Sequence, residues 1–301
     1  MFNTRAADSE NTYDAILVGA GIMSSTLAVL LNELEPNLRL LIIERLSSPG
    51  LESSSAKNNA GTGHAANCEL NYTPVQNDGS ISSNKALEIN KSFEQSLELW
   101  ASLAEKGKLN PETFLNQLPH ISLVFGDKDI DLLKKRFSEL SSHAAFSQME
   151  LSEDHVELKD WIPLVMDGRE KREKIAATRI TRGTDIDFGS LTRSYINQIK
   201  REESIEINYS TNVESLQKDI EGDWHLSLAG IKETRVVKSK FVFLGAGGGA
   251  LSLLQKSGIP EGFSYAGFPV SGKWLICEEE QLTKTHNAKV YGNAAVGAPP
   301  M

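Results

Sequence analysis

Cysteine is scarce in this chain, which has two, Cys68 and Cys277, among 301 residues. They lie far apart in sequence, and neither belongs to a Cys-x-x-Cys pair, so the pattern argues against a zinc site or a redox dithiol. Two reduced thiols are favoured over one long-range disulfide. No metal is expected from the composition or from the motifs.

An excess of positive charge is also absent. Lys and Arg number 31 against 40 Asp and Glu, which gives a formal net charge of −9. Binding to a phosphate backbone needs clustered cations, so nucleic acid is not an expected partner. An anionic ligand would have to be met by a few local cations, against the overall field of the protein.

Long hydrophobic runs are missing as well. The longest, residues 15–23, has about half the length needed to span a bilayer. The first residues contain no apolar core of a signal peptide. We therefore expect a cytoplasmic chain that does not span a membrane. Peripheral attachment stays open, because amphipathic contacts leave little trace in composition.

The composition is typical of a folded soluble protein, with 40% hydrophobic and 24% charged residues. Its length suggests roughly two domains. Near the start, an apolar run over residues 14–18 leads directly into a glycine turn. A helical pattern over residues 22–34 and a second apolar run over residues 39–44 follow. This order predicts the opening of a βαβ unit.

The glycine turn, Gly19-Ala-Gly21-Ile-Met-Ser24, has the spacing of a dinucleotide fingerprint. Gly19 permits the tight turn, Gly21 lets the backbone approach a pyrophosphate, and Ser24 is small enough for helix–strand packing. Glu44 ends the second strand, where a carboxylate accepts hydrogen bonds from ribose hydroxyls and repels a 2′-phosphate, which disfavours NADP. We predict that Gly19, Gly21 and Ser24 hold the pyrophosphate and that Glu44 holds the ribose.

A second strand, turn and helix pattern stands more than 200 residues later. The apolar run 241–244 ends in a glycine-rich stretch that contains Gly245 and Gly247, and a helical pattern covers residues 250–256. In two-domain flavoproteins such a strand returns to the first sheet beside the cofactor, whereas NAD enzymes more often keep a contiguous sheet. The large sequence separation between the two strand, turn and helix patterns therefore favours FAD over NAD.

Further elements are predicted between these two segments. Residues 47–63, rich in Ser, Asn and Gly, predict a long loop that is either functional or mobile. Helical patterns cover residues 83–106, 129–140 and 188–201, the last with Asp187 as its N-cap. Strand patterns cover residues 121–125, 205–209, 213–217, 224–228 and 234–237.

Several longer blocks are far more specific than a nucleotide fingerprint. They are NNAGTGHAANCELNYTP (residues 58–74), GTDIDFGSLTR (183–193), YAGFPVSG (265–272) and AKVYGNAAVGAPPM (288–301). On these blocks and their order, the chain from about Tyr13 to Met301 resembles the malate:quinone oxidoreductase family. The family continues well past the last of these blocks, so the chain looks like an N-terminal fragment of roughly three-fifths of a full enzyme.

The resemblance implies an activity and a location. The family oxidises (S)-malate to oxaloacetate with FAD and passes the electrons to a membrane quinone, as a step of the citric acid cycle. The implied enzyme is peripheral on the inner face of the cytoplasmic membrane. The implied fold is α/β, with a Rossmann-like FAD-binding domain of the D-amino-acid-oxidase (GR2) type and a discontinuous α+β substrate domain.

The domain bounds expected from this pattern are residues 11–75 and 186–256 for the FAD-binding domain. Residues 76–185 and 257–301 are expected to form the substrate domain, incomplete at its C-terminal end. The function of the truncated chain leaves two alternatives open. One is a related FAD-dependent 2-hydroxyacid oxidase that uses oxygen, and the other is a noncatalytic FAD-binding fragment.

Individual roles follow from the resemblance. His64 is the candidate base for the malate hydroxyl, because it ends a glycine-rich loop that passes close to the flavin in similar proteins. Arg182 and Lys273, with Arg193 behind them, are candidates for binding the substrate carboxylates. An arginine beyond residue 301 is a rival for that role. The remaining candidates are cofactor contacts, namely Asn59, Gly61 and Gly63 near the flavin, Val213 near the adenine, and Gly245 and Gly247 at the returning strand.

Three positions depart from the family pattern. Lys57 stands where Trp is usual, Asp187 where Asn is frequent, and Ser271 where Gly is common. None of these changes removes an evident cofactor-binding group.

Overall fold

A computed structural model describes residues 11–231, 234–269 and 272–293. The strands in this part are β1 (Thr12–Val18), β2 (Leu40–Ile43), β3 (Leu115–Gln117), β4 (His120–Phe125), β5 (Glu150–Ser152), β6 (Ile175–Ile180), β7 (Thr184–Ile186), β8 (Ile205–Asn208), β9 (Asn212–Lys218), β10 (Trp224–Ala229), β11 (Thr234–Leu244) and β12 (Lys289–Gly292). The α-helices are α1 (Ile22–Leu34), α2 (Asn84–Glu105), α3 (Gly126–Ser141), α4 (His155–Trp161), α5 (Pro163–Met166), α6 (Phe188–Ile199), α7 (Ala250–Lys256) and α8 (Glu280–Thr285).

Within the described residues the chain divides into two compact units. Unit 1 is formed by residues 11–61, 107–114 and 187–272, and unit 2 by residues 62–106, 115–186 and 273–293. The sequence-based bounds differ at residues 107–114 and 257–272, which lie in unit 1, and at residues 62–75, which lie in unit 2. The reason for the last difference is local pairing, because Thr62 bridges to Asp185 and the Gly63 amide donates to the Thr184 carbonyl. The labels "FAD-binding" and "substrate" remain predictions for the two units.

Unit 1 is built on a six-stranded sheet in the order β8-β2-β1-β11-β10-β9. The first four strands are parallel, while β10 and β9 extend the sheet in antiparallel pairing. All four residues of β2 are buried, as expected of a strand inside a parallel sheet. Helices α1 and α6 pack on each other beside this sheet. The returning strand therefore pairs directly with β1, so the two glycine turns lie at adjacent strand ends.

The helical patterns over residues 22–34, 83–106, 129–140, 188–201 and 250–256 are confirmed as α1, α2, α3, α6 and α7. The division of residues 234–244 into two runs was wrong, since β11 is one continuous strand. Ser239, a polar residue in its middle, hid this continuity. Its side chain is buried and donates to the Asp14 carbonyl, and its backbone pairs with Tyr13 on one side and Trp224 on the other.

Unit 2 contains a four-stranded sheet, β12-β4-β6-β5, and a separate antiparallel ribbon, β3-β7. On one face of the larger sheet, Val124 and Ala176 pack with Ile130 and Leu133 of α3. On the other face, its apolar side chains pack with α4 and α5. None of the helices in the described residues is long and apolar enough to cross a membrane.

A fully buried arginine holds a loop of unit 2 in place. Arg136 of α3 donates from Nε to Thr73 Oγ1 (3.1 Å) and from Nη2 to the carbonyls of Ala66 (3.1 Å) and Asn67 (3.2 Å). Burial lowers the pKa of its guanidinium to about 10, which leaves it charged at neutral pH. Ala66 has a left-handed backbone (φ 60°), uncommon for a residue with a side chain. We infer that the arginine stabilises this loop conformation.

Arg136→Met keeps much of the side-chain volume but leaves two buried carbonyls without their donor. We expect the free energy of unfolding to fall by about 3 kcal/mol, seen as a lower urea midpoint by circular dichroism. Lys128→Met, at an exposed position on the same helix, is the control and should change stability by less than about 0.5 kcal/mol. Equal midpoints for the two variants would contradict the proposed clamp.

Candidate cofactor and active site

A cavity of about 580 Å³ opens in unit 1 where β1 and β11 end. Its walls come from the two glycine turns, the start of α1, the loop after β2 and the start of β9. Six of the predicted cofactor residues line it, namely Gly19, Gly21, Glu44, Val213, Gly245 and Gly247. The structure thus brings together side chains and turns that are up to 228 positions apart (19 to 247) in the sequence.

The two glycine turns approach each other too closely for side chains. Gly19 has φ +95°, in the left-handed region that favours glycine. A Cβ atom at Gly19 would lie 2.5 Å from the Gly245 carbonyl oxygen. A Cβ atom at Gly245 would in turn lie 2.1 Å from Ser24 Oγ. The crossing of the turns therefore favours glycine at positions 19 and 245, independently of any ligand.

Ser24 lies behind the cavity wall. It is fully buried, does not line the cavity, and packs against Gly245. This position agrees with the small residue expected for helix–strand packing. It does not give the hydroxyl direct access to a ligand in the cavity, so the predicted contact between Ser24 and a pyrophosphate finds no support in this geometry.

The N-terminus of α1 faces the same cavity, and Gly21 and Ile22 line it there. The Ile22 amide donates to Ser54 Oγ at 2.9 Å, and a Cβ atom at Gly21 would lie 3.2 Å from that oxygen. Amides at a helix N-terminus favour a bound anion. Sequence reasoning missed Ser53 and Ser54, which also line the cavity, because a serine in a Ser-rich loop carries no distinguishing spacing.

Glu44 is buried at the cavity wall and held in a fixed orientation. Its Oε2 accepts from the Ala20 amide and its Oε1 from the Leu46 amide, both at 2.8 Å. Each carboxylate oxygen can accept more than one hydrogen bond. The side chain can therefore bind ribose hydroxyls while it keeps both backbone partners.

Asn59 and Gly61 do not line this cavity. The Asn59 amide group donates to the carbonyls of Ser53 (3.0 Å) and Ser55 (2.8 Å), and its Oδ1 accepts from the Gly61 amide (2.9 Å). Asn59 thus fixes the shape of the loop that carries Ser53 and Ser54. Its predicted proximity to a flavin stays a prediction.

His64 belongs to unit 2, where it lines an open cavity of about 420 Å³ with residues of α2. Its side chain is 52% exposed, and Nδ1 lies 2.9 Å from Oε1 of Glu69, which is 3% exposed. Space at the preceding residue is tight, because a Cβ atom at Gly63 would lie 1.8 Å from Thr184 Oγ1 and 2.8 Å from Phe93 Cζ. Sequence reasoning missed Glu69, although an acidic residue five positions after the candidate base was the available signal.

The pKa of the Glu69 carboxyl is held below its usual range. Burial raises this pKa, but hydrogen bonding and the positive charge of His64, together with the neighbouring backbone, lower it by more. The carboxylate is therefore charged at neutral pH beside the imidazole.

The three candidate substrate cations have different surroundings. Arg182 lines another cavity of unit 2, of about 410 Å³, and donates to the Ala145 carbonyl at 2.9 Å. Lys273 is exposed in unit 2, and Arg193 lies in unit 1, where it donates to Ser190 Oγ at 2.8 Å. The cavities of His64 and Arg182 share Phe93. Of the three, Arg182 is the cation that lines a cavity next to that of His64.

The departures from the family pattern have different surroundings. Asp187 caps α6, accepting from the Ser190 amide at 2.8 Å, so this residue has a structural role. Lys57 is exposed. Ser271 lies outside the described residues.

Three carboxylates in the turn between β9 and β10 are close enough to hold a metal ion, with ligand atoms of Asp219, Glu221 and Asp223 within 4.8 Å of one another. Two side-chain nitrogens already reach them. Lys238 Nζ lies 2.9 Å from Asp223, and His225 Nε2 lies 2.7 Å from Asp219. We assign no metal to this cluster.

The fold has counterparts among solved structures. One is L-α-glycerophosphate oxidase from Mycoplasma pneumoniae with FAD bound, with a TM-score of 0.61 at 15% identity over 82% of this chain and 57% of that one. Another is glycine oxidase from Geobacillus kaustophilus, with a TM-score of 0.58 at 18% identity over 82% and 58% of the two chains. At these identities the likeness concerns the fold, and it confirms the predicted Rossmann-like α/β class.

Sequence relatives are much closer. A probable malate:quinone oxidoreductase of Prochlorococcus marinus (strain NATL1A) is 81% identical over the whole chain, and one of Synechococcus sp. (strain RCC307) is 58% identical over 96% of it. The chain spans 61% and 60% of the lengths of these relatives. The family model for malate:quinone oxidoreductase (Mqo) matches residues 11–301. The chain therefore belongs to the malate:quinone oxidoreductase family.

Proposed function

We propose that this chain forms the FAD-binding part, and supplies a catalytic base, of an enzyme that oxidises (S)-malate to oxaloacetate with a membrane quinone as electron acceptor. The observation that carries the proposal is the cavity of unit 1, read together with membership of the family. This reaction is a step of the citric acid cycle. Because the quinone is held in the lipid, we further propose peripheral contact with the inner face of the cytoplasmic membrane.

The residues of unit 1 fit FAD. The turns at Gly19 and Gly245 leave the backbone bare, the amides at the start of α1 suit a pyrophosphate, and Glu44 offers carboxylate oxygens to a ribose. Val213 lines the same cavity and is proposed to contact the adenine. When bound, FAD supplies the acceptor for the hydride that leaves the hydroxyl-bearing carbon of malate.

The chain's own contribution to the chemistry is proton transfer and charge. We propose that the His64 imidazole takes the proton of the malate hydroxyl, a role that suits a half-exposed histidine beside a carboxylate. Arg182 is proposed to bind a malate carboxylate, with Lys273 and Arg193 as further candidates. An arginine in the part of the relatives beyond this segment is an alternative, because bidentate binding of carboxylates favours arginine.

Two other functions have support in particular observations. The likeness of the fold to glycerophosphate and glycine oxidases favours a 2-hydroxyacid oxidase that uses oxygen. The coverage of only 61% of a relative favours a fragment that binds FAD without turnover. The experiments below distinguish these functions.

The role of Glu44 is tested by Glu44→Gln. The uncharged amide loses charge-assisted hydrogen bonds to the ribose and turns an NH₂ group toward one of two backbone donors. We expect the Kd for FAD to rise at least about tenfold, measured by fluorescence titration of the apoprotein. Glu52→Gln is the matched control, because Glu52 lines the same cavity but is half exposed and paired with Arg45. An equal Kd in both variants would remove Glu44 from the site.

The reaction is tested by adding malate without oxygen to the FAD-loaded protein, both as this segment and at the length of its relatives. Loss of the oxidised-flavin absorbance band, followed by its return on adding a quinone analogue, is the expected result. Rapid return with oxygen and peroxide release would favour the oxidase. Yellow protein that malate does not bleach, at either length, would contradict malate oxidation.

A further inference from the structure

A buried carboxylate and a half-exposed imidazole face each other across a loop of unit 2. The loop runs from His64 to Glu69, and the Nδ1 to Oε1 distance between its two ends is 2.9 Å. The second carboxylate oxygen, Oε2, accepts from the Cys68 amide at 3.3 Å. Oε1 makes no hydrogen bond of regular geometry in the described part of the chain, and its ion-pair contact is with the imidazole. The carboxylate is thus oriented by the backbone at one oxygen and directed at the imidazole with the other.

The loop that joins the two residues is held unusually firmly. The carbonyls of four successive residues, 65 to 68, each accept a hydrogen bond from a side chain outside the loop. The donors are Asn90 of α2 (3.1 Å), Arg136 of α3 (3.1 and 3.2 Å) and Ser122 of β4 (2.9 Å). Three separate elements of unit 2 therefore fix the loop. The fold itself thus keeps His64 and Glu69, at the two ends of the loop, next to each other.

The surroundings favour a charged Glu69. The buried Arg136 guanidinium and the Glu69 carboxylate attract each other, while burial, first, and the charge of Glu69, second, raise the pKa of the Cys68 thiol and keep it neutral. The Tyr72 hydroxyl also lies within hydrogen-bond distance of the imidazole, 3.4 Å from Nδ1. The described residues offer His64 Nδ1 no closer acceptor than Oε1 of Glu69.

We infer that Glu69 is a positioning residue that holds His64 as its Nδ1–H tautomer, so that Nε2 carries the lone pair that accepts a proton. A neutral imidazole has one donor and one acceptor nitrogen, and the hydrogen bond made by one nitrogen decides the role of the other. The O–H bond of the substrate breaks, its proton goes to Nε2, and Glu69 stabilises the resulting imidazolium without taking the proton. The inference rests on the proposed function for the identity of that substrate and for the role of His64 as the base.

The tautomer is measured on this segment by long-range ¹H–¹⁵N NMR of ¹⁵N-histidine-labelled protein at a pH where the imidazole is neutral. We expect the Nδ1–H form to predominate in the wild type. In Glu69→Gln, the amide can donate to Nδ1, and the population should shift to the Nε2–H form. Glu88→Gln is the control, because this exposed glutamate lines the same cavity as His64 but makes no contact with Nδ1.

Turnover is measured at the length of the relatives with malate and a quinone analogue. His64→Ala should lower kcat by about 10²-fold or more, and Glu69→Gln by at least about tenfold with KM nearly unchanged. Glu69→Asp, which keeps the charge, should recover part of the loss. Circular dichroism of each variant separates these effects from misfolding.

The outcomes separate the inference from the proposed function. A tautomer that does not change in Glu69→Gln would overturn the inference, whatever the kinetics. A changed tautomer with undiminished turnover in Glu69→Gln would overturn the positioning role. A changed tautomer with full turnover in His64→Ala would support the geometry and overturn the proposed role of His64 as the base.

Discussion

The close crossing of two glycine turns is the constraint on which unit 1 depends. β1 and β11 are parallel neighbours whose last residues, Val18 and Leu244, pair in register. Each strand then turns sharply, and the two turns approach so closely that a side chain at Gly19 would collide with the Gly245 carbonyl. Bare backbone at adjacent strand ends, next to a helix N-terminus, is what a pyrophosphate needs. Gly19 and Gly245 thus serve both the close crossing of the turns and the proposed binding of a pyrophosphate.

Unit 2 also depends on one fixed backbone segment, which is held by buried hydrogen-bond donors. There the fixed feature is the loop over residues 65–68, whose carbonyls bind buried donors from α2, α3 and β4. Fixing this loop requires a fully buried arginine, Arg136. Desolvation of its charge is unfavourable and is only partly compensated by Glu69 and the loop carbonyls. The gain is a half-exposed histidine in a defined orientation at the surface of a cavity. Rigid support of this kind is what proton transfer demands of a base.

Much of unit 1 could be predicted from the sequence because its signals are local. A buried parallel strand reads as a continuous apolar run, and Gly19 and Gly21 stand at spacings that backbone geometry imposes. The pairing of β11 with β1 could also be anticipated from the second glycine turn. The continuity of β11 could not be predicted, because Ser239 interrupts the apolar pattern. Its hydroxyl is satisfied by the carbonyl of Asp14, distant in sequence, and by that of Phe241, two residues further along the strand.

Unit 2 was harder to predict because its strands are short and its key contacts are long-range. β5 and β7 have three residues each, and β6 contains two alanines that give a weak apolar signal. The anchoring of residues 66 and 67 by Arg136 joins positions about 70 apart, a relation that no periodicity reveals. The spacing of His64 and Glu69 was a signal in the sequence, but the contact between their side chains was visible only in the three-dimensional arrangement of the anchored loop.

The most direct test of the account is the identity and amount of flavin in this 301-residue chain. Heat-released cofactor is separated by chromatography and compared with the protein concentration, for the wild type and for Gly245→Ala. The account predicts stoichiometric FAD in the wild type and its loss in the variant, because the added methyl would lie 2.1 Å from Ser24 Oγ at the crossing of the turns. Wild-type protein that is folded, carries no flavin and binds no added FAD would contradict it.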